Sequence, residues 1–204
     1  MLRRISAANP RLRWHLQNIT GEFTGVRVAE QLAKIDALKA KHNHSIVLVQ
    51  SAVLANQRTW NFNCHAFAFG LHETEEFWSI RESQPDVWPT GTFVSQLLVP
   101  RLEPISEDNQ RVGDLIVYFS GQSVTHSGIV GDQLVRSKWG SAHTWDHRIF
   151  EVPTSFGSTV RYFKRVPSCD VVAAYTEFCK AAQQAFAADG GRRDDEPPRL
   201  KRDR

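Results

Sequence analysis

The sequence contains little cysteine and no long hydrophobic run. Only 3 of its 204 residues are cysteine, too few for a disulfide framework and typical of a reducing compartment. No stretch approaches the roughly 20 consecutive apolar residues that a membrane-spanning helix needs. The first residues include arginines but no apolar core of a secretory signal. We therefore expect a cytoplasmic protein without membrane association, or one exported by a route that needs no such signal.

The sequence also lacks a strong charge imbalance. Its 25 basic and 22 acidic side chains give a formal net charge of +3, which argues against nucleic acid as a partner. Residues 189–204 mix basic and acidic side chains with prolines and glycines, so we interpret them as a disordered charged tail. Residues 1–22 are interpreted as an irregular N-terminal arm. The stretch between, residues 23–188, has the length of one domain.

The order of the hydrophobic patterns predicts an α+β fold. Apolar residues at helical spacing predict one helix from near Val26 and another over Ser168–Ala188. Residues 45–54 fit either a buried strand or a helix. From residue 111 onward, short β-branched and aromatic runs separated by turn residues predict an antiparallel sheet of about five strands. These strands are Val112–Phe119, His126–Val130, Gln133–Trp139, Arg148–Val152 and Thr159–Arg165.

Cys64 is the first candidate for a catalytic side chain. Asn63 is a typical helix N-cap and Gly70 a typical helix end, so the thiol is predicted in the first turn of a short helix. Free N–H groups and the helix dipole favour the nucleophilic thiolate there. The alternative is a small buried hydrophobic residue. Cys169 and Cys179 are expected to pack on different faces of the last helix.

The segments around Cys64 and His126 resemble a known superfamily. A helix-start cysteine is followed by the strand Gly113–Tyr118 and then by Thr125–Val130, which carries His126. This order resembles the papain-like cysteine peptidases and amidases of the NlpC and CHAP types, in a little-characterised bacterial branch, over roughly residues 57–165. The resemblance implies a papain-like fold, with the catalytic helix packed on the sheet, and a thiol hydrolase that cleaves an amide or isopeptide bond.

The resemblance also implies roles for individual residues. Cys64 attacks an acyl carbon, and His126 holds the proton and returns it to the leaving amine. Gln57 is the expected side-chain donor to the oxyanion, with an exposed loop amide as the alternative. His65 points about 100° away from Cys64 on a helix and is expected to have a structural or a substrate-contact role. The substrate is expected to be a peptide, a protein or a peptidoglycan-like amide, and no cofactor is expected.

The third catalytic residue departs from the pattern of the resembled families. They place it on the strand after the histidine, at Ser137 or Lys138, but a hydroxyl orients an imidazole weakly and an ammonium repels its charged form. Polar residues near the start of the following strand are better suited. In order of preference they are His147, Asp146 and His143.

Two other classes of function compete with the hydrolase. His143 and His147 have the i, i+4 spacing of helical zinc ligands, but Thr144 stands where the zinc-protease motif has Glu. The surrounding strand pattern also separates the two imidazoles, so no metal site is predicted. The other competitor is a papain-like binding or effector module with an unused thiol, because a fold does not fix a function.

Overall fold

The computed structural model describes residues 9–21, 28–50 and 61–188. These residues form six α-helices and an open antiparallel sheet of seven strands, which confirms the α+β class. No helix in these ranges is long and apolar enough to cross a membrane.

The helices lie mostly before and after the central sheet strands. They are α1 (Pro10–Gly21), α2 (Val28–His42), α3 (Cys64–Ala68), α4 (Glu75–Ser83), α5 (Gly91–Phe93) and α6 (Ser168–Ala188). α5 continues into a π turn over Val94–Leu98 and a 3-10 turn over Val99–Arg101. The prediction of α6 is confirmed at both ends.

The sheet has two more strands than the sequence predicts. In chain order the strands are β1 (Val47–Gln50), β2 (Pro104–Ile105), β3 (Leu115–Ser120), β4 (Ser123–Val130), β5 (Val135–Lys138), β6 (Thr144–His147) and β7 (Thr159–Phe163). Their spatial order is β1-β6-β5-β4-β3-β7-β2. Thus β3 to β6 form a meander, and β7 returns to pair with β3.

Two strand predictions need correction. Arg148–Val152 is not a strand. The strand that pairs with β5 is formed by the residues just before it, Thr144–His147. The segment 45–54 was expected to be buried, but β1 is an edge strand in which Val47 and Val49 are 52% and 40% exposed. Hydrophobicity alone does not separate an edge strand from a buried one.

The N-terminal segment is also corrected, because residues 10–21 are helical and not irregular. Asn9 caps the helix by accepting a hydrogen bond from the backbone N–H of Leu12 at 3.1 Å. Pro10 is the first helical residue, where proline is favoured because its missing N–H has no partner to lose. Leu12, Leu16 and Ile19 form the buried side of α1. The guanidinium of Arg13 ties α1 to the carbonyl oxygens of residues 152, 153 and 157.

Both faces of the sheet are covered by helices. On the first face, which we call the α3 face, Leu115, Val117 and Phe119 of β3 pack with α3, α4 and α6. On the second, the α1 face, Ile116 and Tyr118 pack with α1 and α2. Successive strand residues point to opposite faces, so two neighbouring residues of a strand contact different sets of helices.

The two cysteines of α6 have different surroundings. Cys179 is buried in the core on the α3 face, as predicted. Cys169 is exposed at the start of the helix, so its expected packing role is corrected. Neither forms a disulfide.

Candidate functional site around Cys64

Cys64 is the first residue of α3, as its sequence context predicts. The side-chain oxygen of Asn63 accepts hydrogen bonds from the N–H groups of His65 and Ala66, at 3.1 and 3.0 Å. The amide nitrogen of Asn63 donates to the carbonyl oxygen of Pro89 at 2.9 Å, which anchors the start of the helix. Gly70 follows the helix in the left-handed conformation, with φ 72°. These local contacts fix the backbone on which the thiol is carried.

The thiol does not have the low pKa that its helix position suggests. Burial raises the pKa of Cys64 to about 12, although hydrogen bonds from the backbone of Ser127, His65 and Cys64 itself, and the charge of Lys138, act in the opposite direction. α3 has only five residues, so its dipole is too short to offset desolvation. The expectation of a resting thiolate is therefore corrected: the thiol is protonated at neutral pH.

Lys138 is the charged side chain that the structure brings to Cys64. Lys138 is fully buried, and its Nζ lies 4.5 Å from the ring centroid of Phe62. Nζ also donates a short hydrogen bond to the carbonyl oxygen of Ala142. Burial lowers the pKa of Lys138 to about 8, with Cys64 acting in the opposite direction. No ion pair of Lys138 with a carboxylate is found within the described ranges, and buried lysines of this kind are concentrated at functional sites.

His65 and Ser127 complete the polar surroundings of the thiol. The Ser127 hydroxyl donates to the carbonyl oxygen of Cys64 at 3.3 Å, and Nδ1 of His65 lies 2.9 Å from the same hydroxyl. Both side chains are buried, and burial lowers the pKa of His65 to about 4. These bonds give His65 a structural role, which is one of the two roles expected for it. It fixes Ser127, which joins β4 to the start of α3.

His126 lies on the other face of the sheet from Cys64. In the β3–β4 pair, Val117 is opposite Ser127 and Tyr118 is opposite His126. Opposed residues of an antiparallel pair project to the same face, so Ser127 projects to the α3 face and His126 to the α1 face. The ring of His126 packs there against Tyr118 and Phe156. The predicted pairing of Cys64 with His126 is therefore not assembled in this structure.

The surroundings of His126 are those of a core side chain. Neither of its ring nitrogens has a hydrogen-bond partner among the described residues. Burial, and then the neighbouring His147 and His65, hold its pKa well below the usual value. The sequence identified the strand correctly but not which of its residues face α3, because that depends on the register of β4 against β3.

His147 shares the α1 face with His126 but bonds to other groups. Its Nε2 lies 2.7 Å from the hydroxyl of Ser137, and its Nδ1 donates to the carbonyl oxygen of Arg148 at 2.8 Å. Burial lowers the pKa of His147 to about 4. Both ring nitrogens are thus engaged by groups other than His126, and the expected orienting bond between the two imidazoles is absent from the described part of the chain.

The remaining candidates have different surroundings, and one of them lies outside the described residues. Both carboxylate oxygens of Asp146 accept hydrogen bonds from Arg136, at 2.8 and 2.9 Å. Gln57 lies outside the described residues, so its expected oxyanion role stays a prediction. His143 precedes β6 and meets the ring of Trp145 edge to face. Burial, and then the charge of Lys138, lower the pKa of His143 to about 4, so this candidate is close to the Lys138 side of the site. No group of three or more potential metal ligands occurs in the ranges that the structure describes.

The residues that sequence reasoning missed are Ser127 and Lys138. Lys138 was considered by position and set aside as a poor partner for an imidazolium. A signal was present, since Lys138 sits between Ser137 and Trp139 in a strand with further strands predicted on each side. A lysine in the interior of a covered sheet must have an internal partner, and here Nζ donates to the carbonyl oxygen of Ala142 and lies over the ring of Phe62.

Comparison with known proteins places the chain in a family. The family model described as "Domain of unknown function (DUF7689)" matches residues 53–164, more than half of the chain. The protein belongs to the DUF7689 family. The matched region of this DUF7689 protein runs from before α3 to the residue after β7, and it includes Cys64, Ser127 and Lys138. No curated protein and no solved structure matches the chain.

Proposed function

We propose that this DUF7689 protein is a papain-like thiol hydrolase that cleaves an amide or isopeptide bond, with Cys64 as nucleophile and Lys138 as its proton acceptor. The observation that carries the proposal is the burial of a lysine with a lowered pKa next to a thiol at the start of a helix. The substrate class is a peptide, a protein or a peptidoglycan-like amide. Lysine acts as the base beside a hydroxyl nucleophile in other hydrolases, so this partnership is chemically reasonable.

Lys138 suits the part of a general base. With a pKa of about 8, roughly a tenth of the amine is neutral at pH 7. Transfer from a thiol with a pKa of about 12 to this amine is unfavourable at rest. The thiolate therefore forms only as it attacks the substrate, and the ammonium then gives the proton to the leaving amine.

The backbone around Cys64 supports the oxyanion step. The N–H groups of Ser127 and Cys64 are directed towards the sulfur, as their effect on its pKa indicates. Donors fixed near the sulfur lie close to the oxygen of a tetrahedral intermediate, where they stabilise the charge that develops. Water then attacks the thioester carbon and loses its proton to Lys138. As the C–S bond breaks, Lys138 returns a proton to the departing sulfur, and the acid is released.

A binding module with an inert thiol is the second candidate. The raised pKa of Cys64 favours it, because a protonated thiol is a poor nucleophile. The two candidates differ in one measurable property, which is whether Cys64 reacts faster than an ordinary buried cysteine.

The test uses p-nitrophenyl acetate and the intact protein. We expect a burst of p-nitrophenolate, with the acetyl group located on Cys64 by peptide mass spectrometry, and no burst in Cys64→Ala. Lys138→Met should slow the burst by at least roughly tenfold and remove the rise in rate with an apparent pKa near 8. Lys164→Met, at a lysine paired with Glu103 on the surface, is the matched control and should change neither.

Cys179 provides an internal reference for the same experiment. It is 1% exposed, and burial raises its pKa as well, but it belongs to α6 and not to the Lys138 surroundings. If Cys64 is acetylated no faster than Cys179, the hydrolase is excluded and the binding module is favoured. If Cys64 is acetylated at the same rate in Lys138→Met as in the unchanged protein, the thiol remains the nucleophile but Lys138 is not its proton acceptor.

A further inference from the structure

The ring of Phe62 lies over the buried amine of Lys138. Nζ of Lys138 is 4.5 Å from the ring centroid, within the distance of about 6 Å at which the electron-rich face of an aromatic ring attracts a cation. Lys138 is fully buried and Phe62 is 5% exposed, so little water competes for the ammonium. An attraction of this kind is stronger away from water than at an exposed site.

In the described part of the chain, no titratable neighbour of Lys138 is negatively charged at neutral pH. The charge of Lys138 alters the pKa of three such neighbours, which are Cys64, His72 and His143. The thiol is protonated at neutral pH, and burial lowers the pKa of both imidazoles, so all three groups are uncharged there. A fully buried lysine usually has a charged partner. Here the electron-rich face of Phe62 helps to stabilise the ammonium instead.

Two aromatic neighbours fix the orientation of the Phe62 ring. The imidazole of His72 stacks on it, with centroids 4.6 Å apart and planes 20° from parallel, and the indole of Trp78 meets it edge to face at 6.2 Å. Nδ1 of His72 donates to the carbonyl oxygen of Ala66 at 3.2 Å, and Nε1 of Trp78 donates to the carbonyl oxygen of His72 at 3.0 Å. Because Ala66 belongs to α3, the ring is attached to the helix that begins with Cys64.

We propose that Phe62 is a positioning residue of the site. The face of its ring binds the ammonium of Lys138 and holds it near Cys64, which follows Phe62 by two residues. The ring attracts the charged amine and not the neutral one, so it also makes the amine a stronger base than burial alone would allow. The catalytic meaning of this contact rests on the proposed function, but the contact itself can be tested without a substrate.

The test replaces Phe62 by a phenylalanine with three fluorine atoms on its ring, which nearly keeps the shape of the ring but withdraws electrons from its face. We expect the pKa of Lys138 to fall by roughly 0.5 to 1, because the weaker ring stabilises the ammonium less. Carbon-13 NMR of the lysine Cε signals during a pH titration measures this pKa in the intact protein, and Lys138→Met identifies the signal. The rise of the p-nitrophenolate burst with pH should move by the same amount.

Two variants and a control separate the effect of the ring face from that of packing. Phe62→Leu removes the face and should lower the pKa of Lys138 at least as much as the fluorinated ring does. Phe62→Tyr keeps the face and should leave the pKa nearly unchanged. The matched control is the same fluorinated residue at Phe77, a buried ring that packs against Trp78 and Tyr175. It should leave the pKa of Lys138 unchanged.

The outcomes for the contact and for the hydrolase are distinguishable. The proposal for Phe62 is overturned if the fluorinated ring leaves the pKa of Lys138 unchanged, or if the control at Phe77 lowers that pKa equally. If the pKa falls only with the change at Phe62 but the unchanged protein gives no burst, the contact is confirmed and the hydrolase is excluded.

Discussion

His126 and Phe156 stack with their ring centroids 3.8 Å apart and their planes 17° from parallel. The imidazole is therefore packed as an aromatic core side chain, and its two nitrogens gain nothing from their burial. This relationship separates the structural role of His126 from the catalytic one that its strand context suggests.

Replacing His126 by Phe should raise the free energy of unfolding by roughly 1–3 kcal/mol. The change removes two buried nitrogens that lack partners among the described residues, and such groups are costly to bury. Urea unfolding followed by circular dichroism measures the effect. His147→Phe is the matched control and should lose stability, because both nitrogens of His147 are hydrogen-bonded. A destabilised His126→Phe that also loses the p-nitrophenolate burst would return His126 to the active site.

The free energy of unfolding should fall as the pH is lowered from about 6.5 to 4. Burial lowers the pKa of His65 and of His147 to about 4, whereas an exposed histidine in the unfolded chain titrates near 6.5. Between these values the unfolded chain binds more protons, so acid favours unfolding. Each of the two histidines contributes a slope of about 1.4 kcal/mol per pH unit. Urea midpoints measured across this range test the prediction, and a flat profile would contradict it.

Gly157→Ala should destabilise the protein by at least about 2 kcal/mol. Gly157 has φ 88°, and an added Cβ would lie 2.1 Å from the carbonyl oxygen of Phe119. Gly121→Ala is the matched control, since Gly121 has φ 60° but open space around its Cβ position. Gly121→Ala should lower the free energy of unfolding only by the backbone strain, about 1 kcal/mol. Equal losses in the two variants would show that the contact with Phe119 is not limiting.

Asp146→Asn should lower the free energy of unfolding by less than about 1 kcal/mol. Arg136 and Asp146 form a bidentate pair across β5 and β6, but their side chains are 49% and 24% exposed, and exposed pairs contribute little. The burst with p-nitrophenyl acetate should be unchanged, because Asp146 is engaged by Arg136. A large loss of the burst without loss of stability would instead support the carboxylate as the third catalytic residue.

Local signals in the sequence were enough to predict the elements that local contacts build. Asn63 and Gly70 predicted both ends of α3 because capping uses residues next to the helix. The periodic apolar residues of α6 predicted both ends of that helix, which has 21 residues. α1 was missed because Pro10 and the polar residues around it resemble a loop, although proline is also favoured at the first position of a helix.

The relationships within the site depend on pairing between distant residues, which no local pattern contains. Ser127 and His126 are neighbours, and only the register of β4 against β3 determines which of them meets α3. The burial of Lys138 likewise depends on Phe62 and Ala142 being brought around it. Sequence reasoning therefore located Cys64 correctly on its helix but paired it with a residue on the other side of the sheet.

The turn between β5 and β6 is attached to the buried amine of Lys138. The carbonyl oxygen of Ala142, in that turn, accepts the hydrogen bond of Lys138. A charged donor makes a stronger hydrogen bond than a neutral one, so loss of the proton from Lys138 weakens the attachment of the turn. Whatever free energy the turn gains from the charged amine must reappear as resistance of Lys138 to losing its proton.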